Sequence, residues 1–342
     1  MDQVTKVARA VLYEGYLLWP YRPSALKNAQ RWTLGGVYPE RCAETGDSSL
    51  MRTQVLIEAD PADTVDVHVC FLHSVARQVA RGTGEELVPV AELTAGGERH
   101  VARDEATERE VAALGLDLAG LVRRAAVVDI DIPEGGDVEW LIGPDGRGVG
   151  ALSRSWRGLR GRVEISAERP APGLFRITVE VANTTGWAGG SRTEGLKQAF
   201  LSAHTVLHAP RGGFVSLTDP PEELRPLAEG CDNAGAWPVL VGEEGERHTM
   251  LSAPIILYDY PRIAPESPGD LFDATEIDQL LTLSVLALTE EERREIRDGD
   301  PRAREILDRC ASLTPERLMR LHGTVREIRP LIEQEPVHDR DG

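Results

Sequence analysis

Val65, Val67, Val69 and Phe71 alternate with Asp66, His68, Cys70 and Leu72, and this period of two predicts a half-buried strand. Leu87–Leu93, the turn residues Ala95-Gly96-Gly97 and Arg99–Arg103 predict a hairpin. Over Glu105–Arg124 the period changes: Val111, Leu114, Leu118 and Leu121 are spaced for one face of an amphipathic helix. Ala125–Ile132 returns to a strand, closed by Pro133 and Gly135-Gly136. The clearest β signal is Arg162–Thr184, where Val163, Ile165 and Ala167 lead into Pro170-Ala171-Pro172-Gly173 and Phe175, Ile177, Val179 and Val181 lead out. Leu196, Ala199, Phe200, Ala203, Val206 and Leu207 then fit a helix, and the apolar run Pro254–Tyr260 fits a short buried strand.

The last eighty residues read as short, capped helices. Thr275 with Asp278 opens one, Thr289 and Glu292 form a capping-box pair, and Asp300-Pro301 and Thr314-Pro315 each place a capping side chain before a first-turn proline. Gly323 can end the last helix, and the tail from Gln334 carries no periodic signal. Strands cluster instead of alternating with helices, so the expected fold is α+β, a mostly antiparallel β-rich body with packed helices and a helical C-terminal segment. The expected division is a body over 1–265, an acidic helical segment over 266–330 and a flexible tail over 331–342.

Charge narrows the function classes. Thirty-eight Lys and Arg against 56 Asp and Glu give a net charge of −18, a field that repels nucleic-acid phosphates and anionic lipid. With no long apolar run, no secretory signal pattern and four scattered cysteines without a C-x-x-C pair, the expectation is a cytoplasmic, acidic protein with reduced thiols. The first forty residues depart from this balance. Lys6, Arg9, Arg22, Lys27, Arg31 and Arg41 outnumber Asp2, Glu14 and Glu40, and most of the tyrosines fall there. Trp19, Tyr21, Arg22, Lys27 and Arg31 are therefore the candidate partner-contact residues, because aromatic and Arg anchors dominate interface energies. The competing reading packs these rings over one end of the core.

Candidate chemistry is sparse. His204 and His208, four apart on the expected helix, could share a metal ion, but Thr205 stands where a zincin has its general-base Glu. His68, Cys70 and His73 offer nitrogen and sulfur ligands without a second pair to complete a site. Cys231 lacks a neighbouring base, and Asp232 would raise its pKa. Gly186–Thr193 lacks the Gly-Lys-Ser/Thr ending of a phosphate loop, and no G-x-G-x-x-G occurs, so no nucleotide cofactor is expected. Five carboxylates between Glu266 and Asp278 lack EF-hand spacing and read as a turn before a capped helix, with an acidic docking face second.

Two runs carry a resemblance: Ala8-Arg-Ala-Val-Leu-Tyr-Glu-Gly-Tyr-Leu-Leu-Trp-Pro-Tyr-Arg-Pro-Ser-Ala-Leu-Lys-Asn28 and Ser252-Ala-Pro-Ile-Ile-Leu-Tyr-Asp-Tyr-Pro-Arg-Ile-Ala-Pro-Glu-Ser-Pro-Gly-Asp-Leu-Phe-Asp273. They resemble a bacterial protein family of uncharacterised activity encoded near actinobacterial-type [NiFe] hydrogenase genes. The resemblance implies a setting and no residue role. It makes the leading expectation a non-catalytic accessory or assembly protein that binds a [NiFe] hydrogenase or its maturation machinery, without a cofactor. The alternatives are a metal-dependent enzyme using His204 and His208, and a structural subunit of a hydrogenase complex.

Overall fold

The computed structural model describes residues 2–13, 21, 34–45, 47–83, 86–261 and 284–313. Its strands are β1 Leu50–Glu58, β2 Thr64–Arg81, β3 Val88–Val90, β4 Glu92–Ala95, β5 Glu98–Val101, β6 Arg103–Asp117, β7 Ala126–Ile132, β8 Gly135–Ile142, β9 Gly148–Trp156, β10 Leu159–Ala171, β11 Leu174–Asn183, β12 Leu201–His208, β13 Gly213–Phe214, β14 Trp237–Leu240 and β15 Thr249–Ala253. Helices are α1 Asp2–Leu12, α2 Leu118–Arg123, α3 Arg192–Leu196, α4 Arg225–Glu229, α5 Glu290–Asp298 and α6 Pro301–Ala311. The protein is thus built mostly from antiparallel sheets with a few helices, richer in strand than the α+β expectation.

A five-stranded sheet runs β13-β1-β11-β10-β7, and an eight-stranded sheet runs β14-β15-β12-β2-β9-β8 with β3 and β6 also on β2. Alternation explains how they stack. Val65, Val67, Val69 and Phe71 of β2 enter one core with Val55 and Ile57 of β1, Val163 and Ile165 of β10, and Ile177 and Val179 of β11. Each such side chain stabilises the fold by about 1.5–3 kcal/mol on burial. Leu72, the next residue along β2, enters a different cluster with Leu12, Tyr13, Leu201, Ile306 and Leu307. Successive β2 residues therefore face two cores, and helices cover the side of the sheet turned away from the sandwich. Phe71 and Phe200 meet in the first core with ring centroids 4.7 Å apart.

Local chemistry sets the turns. The β4–β5 hairpin turns through Gly96 and Gly97, at φ 59° and 85°, the positive pair that a two-residue turn between twisted strands requires. Pro172 and Gly173 turn β10 into β11, with Ala171 opposite Leu174. Asp300 caps α6 by accepting from the Arg302 N–H at 2.9 Å, and Thr289 with Glu292 forms the expected capping box on α5. Arg302 then lies 3.7 Å over the Tyr13 ring, while the Tyr13 hydroxyl donates to Glu108 at 2.5 Å. This contact fastens the end of α1 and the start of α6 to β6.

Three sequence expectations are corrected. Glu105–Arg124 is not one helix: β6 pairs with β2 from Arg77↔Arg103 to Thr64↔Asp117, and only Leu118–Arg123 is helical. The long ladder overrides a composition rich in Ala, Leu, Glu and Arg, whose local preference is helical. The helix expected through Leu207 stops at Leu196, and Leu201–His208 is a strand between β2 and β15. Buried on both faces, it lacks the apolar–polar alternation of a half-exposed strand, so the helical spacing of its apolar residues misleads. Pro254–Tyr260 is irregular instead of a buried strand, with Ile256 75% and Tyr258 82% exposed. The helix expected from Thr275, the Thr314-Pro315 cap, Gly323 and the acidic turn from Glu266 to Asp278 lie outside the described residues.

Candidate functional site

Of the expected contact residues, Trp19, Arg22, Lys27 and Arg31 lie outside the described residues. Tyr21 is 2% exposed and packs with Tyr13 and Tyr38.

His204 and His208 fall on β12, where four residues span about 13 Å, so they cannot share an ion as they would on a helix. Their Nδ1 atoms are engaged separately, His204 with the Ser202 carbonyl at 3.1 Å and His208 with the Thr249 hydroxyl at 3.0 Å. What the sequence does not reveal is that the two histidine clusters meet. His204 stands directly opposite Cys70 on β2, and Cys70 opposite Glu110 on β6. Glu110 also holds His68 at 2.6 Å. Neither central group is activated. Burial, aided by Glu110 and Glu108, pushes the Cys70 thiol up to about 12, and burial pushes the His204 imidazole down. A neutral thiol beside a neutral imidazole is a packing pair.

Cys231 is likewise structural: burial raises its pKa, and Asp232 is turned to Arg52 of β1 instead of the thiol. Asn233 accepts from the Gln54 N–H at 2.7 Å and donates to its carbonyl at 3.2 Å, copying a strand neighbour. The Gly186–Thr193 loop enters α3 through a capping box, with the Ser191 N–H donating to Glu194 at 2.9 Å. Arg192 there is paired with Asp47 at 2.9 Å.

Two features stand out on the eight-stranded sheet. The first is a fork. On one edge of β2, β12 pairs with Asp66–Leu72 and β9 with Ala76–Arg81. Across His73–Val75 the neighbour changes, and the two strands separate. His73 is fully buried at this point and bridges the gap through Nε2 to the Arg157 carbonyl at 2.9 Å. A cleft of about 570 Å³ opens here, lined by Ser74, Ala76, Gln78, Glu134, Gly135, Ser155, Trp156, Arg157 and Lys197. A Cβ on Gly135 would lie 2.9 Å from the Trp156 ring, so the glycine lets the indole lie flat against β8. The indole N–H donates to the Pro133 carbonyl at 3.1 Å. Lys197 is placed by its neighbour, since buried Asn183 donates to the Gln198 carbonyl at 2.8 Å.

The second feature is β8 itself, the last strand of its sheet among the described residues. Val138, Trp140 and Ile142 point to one face and are 56%, 51% and 49% exposed. Between them Asp137 and Glu139 reach Arg154 of β9, at 3.1 and 3.5 Å. Arg154 also reaches Glu105 at 3.6 Å, so the two edge carboxylates share one guanidinium with a third acid. A long edge with an apolar stripe is a template for pairing with another strand. Gly135-Gly136, expected to close the preceding strand, instead open this one.

Among the described residues, no group of three or more His, Cys, Asp or Glu is placed to hold a metal ion, and no helix is long and apolar enough to cross a membrane. No family model matches the chain, and no curated protein matches it. Among solved structures, the secretin InvG of the Salmonella SPI-1 type III secretion injectisome, in its open gate state, aligns at 10% identity over 73% of this chain and 75% of that chain. The TM-score is 0.11, which carries no argument about fold or function.

Proposed function

We propose that this is a non-catalytic accessory or assembly protein that acts in the cytoplasm by binding a protein partner. The partner that the resemblance of the Ala8–Asn28 and Ser252–Asp273 runs implies is a [NiFe] hydrogenase or its maturation machinery. One observation carries the binding reading: β8 ends its sheet with Val138, Trp140 and Ile142 exposed in a row. Strand addition supplies affinity through main-chain hydrogen bonds, and alternate side chains supply specificity. Trp140 is the natural anchor. The carboxylates of Asp137 and Glu139 favour a partner strand with basic residues at alternate positions and disfavour a second copy of β8, whose own acids would face them.

The described parts of the two runs meet: Ala8 and Val11 of α1 belong to one apolar cluster with Ala253, Ile255 and Leu257. The metal-enzyme alternative loses its His204–His208 pair to the strand geometry. A test is copurification of tagged protein from the cells that make it. Wild type should bring down hydrogenase subunits or maturation proteins, and Trp140→Lys should not, with its thermal midpoint unchanged. Equal capture by both would remove β8 from the account. Retention in the mature, active complex at one copy per hydrogenase would favour the structural-subunit reading over the assembly factor.

A further inference from the structure

We infer that the cleft at the fork of β2 is a binding site for a small organic carboxylate with a planar apolar body. This inference does not rest on the protein-partner reading. The fork itself makes the cavity, because β12 and β9 cannot both continue beside β2 through His73–Val75. At about 570 Å³ the cleft falls in the range of roughly 300–1,000 Å³ typical of small-ligand sites.

Charge selects the ligand. Arg157 and Lys197 line the cleft, and among the described residues neither holds an ion pair. Both lie close enough to Glu194 to act on its carboxylate, but that carboxylate is engaged with the Ser191 N–H and hydroxyl at 2.9 and 3.1 Å. Glu134 is the one acid among the lining residues. With Glu134 in the lining and Glu194 nearby, the two cations are balanced rather than in large excess, which suits a monoanionic carboxylate better than a phosphate dianion. A guanidinium presents the planar fork that a carboxylate accepts bidentately. Trp156, pinned against Gly135 and the Pro133 carbonyl, offers a fixed aromatic surface to the body of the ligand. Ser74, Gln78 and Ser155 supply hydroxyl and amide groups around it. On a chain of charge −18, such a site has to gather its own positive charge to hold an anion, as this one does.

The experiment is calorimetric titration of the full chain with three probes: benzoate, its neutral isostere benzamide, and inorganic phosphate. Benzoate should bind saturably, with benzamide weaker by about tenfold or more, the scale of losing one charge-assisted contact. Phosphate should not displace benzoate. An Arg157→Gln, Lys197→Gln double variant should lose about tenfold or more in benzoate affinity, while Arg160→Gln, an exposed arginine outside the cleft, should bind as wild type does. Ser155→Trp, which fills the cleft from an exposed position, should abolish binding and serves as the second variant should the double substitution disturb folding. Equal affinity for benzoate and benzamide, absence of saturable binding, displacement by phosphate, or unchanged binding in Ser155→Trp would each overturn the assignment.

Discussion

The two halves of β2 make opposite use of one strand. From Asp66 to Leu72 it has β6 on one edge and β12 on the other, and its residues enter a core on each face. From His73 to Arg81 the neighbours change: β6 continues only to Arg77 before β3 takes that edge at Val79, and β9 replaces β12 from Ala76. One face now carries the cleft residues Ser74, Ala76 and Gln78, and Arg77 is tied to Glu105 at 2.8 Å. The first half is held by apolar burial, which is non-directional and large. The second has a smaller apolar cluster around Val79 and adds directional ion pairs at Arg77, and it leaves polar groups available to solvent or a ligand. A strand long enough to leave its sandwich can present chemistry without weakening the core that anchors it.

The sharpest contrast is in truncation. Phe71→Ala, in the buried half and against Phe200, should cost about 3–5 kcal/mol in urea unfolding. Gln78→Ala, in the polar half and exposed, should fall within about 0.5 kcal/mol of wild type. Similar losses at both positions would dissolve the distinction.

The boundary between the halves should be visible in pH dependence. Burial pushes the His73 imidazole down to about 4, with Arg109 acting in the same direction against its bond to the Arg157 carbonyl. Histidine in the unfolded chain titrates near about 6.5. As pH falls below that value the unfolded state binds the proton first, so this contribution is complete above about 6.5 and is lost down to about 4. The difference is on the order of 3 kcal/mol. His204, also pushed down by burial, adds in the same sense. His73→Gln keeps an amide donor and cannot titrate, so its urea midpoint should change less between about pH 7 and about pH 4 than that of wild type. An unchanged pH dependence would mean that His73 is not desolvated at the fork.

Smaller effects belong to the helices over Leu72. Asp300→Ala removes the cap of α6 and should cost about 1 kcal/mol, measured by thermal unfolding. Because no residue of α6 lines the cleft, the same variant should leave carboxylate binding there unchanged.

Legibility in the sequence followed the same boundary. Strand β2 begins where its period of two begins, at Val65, because each residue there has one apolar and one polar side to satisfy. The β10–β11 hairpin is legible for the same reason, and its turn is written in Pro172-Gly173. Past His73 the alternation fades, since the residues serve ion pairs and a cleft, and no periodicity announces that β2 continues to Arg81. Glu105–Arg124 misleads because Leu114 and Leu118 share a helical spacing, yet Leu114 is 64% exposed on the strand and Leu118 is buried as the first residue of α2. The meeting of Cys70, His204 and Glu110 depends on strand register, which lies in the pairing of distant segments. For the same reason the cleft, assembled from β2, β8, β9 and the approach to β12, left no local motif to read.

The central functional claim is that the open edge of β8 receives a partner strand. Hydrogen–deuterium exchange on the free protein and on its copurified complex tests this most directly. The account predicts that amides within Gly135–Ile142 gain protection in the complex, while the core strands β1 and β11 do not change. Protection confined to other surfaces, with Gly135–Ile142 exchanging as in the free protein, would contradict it.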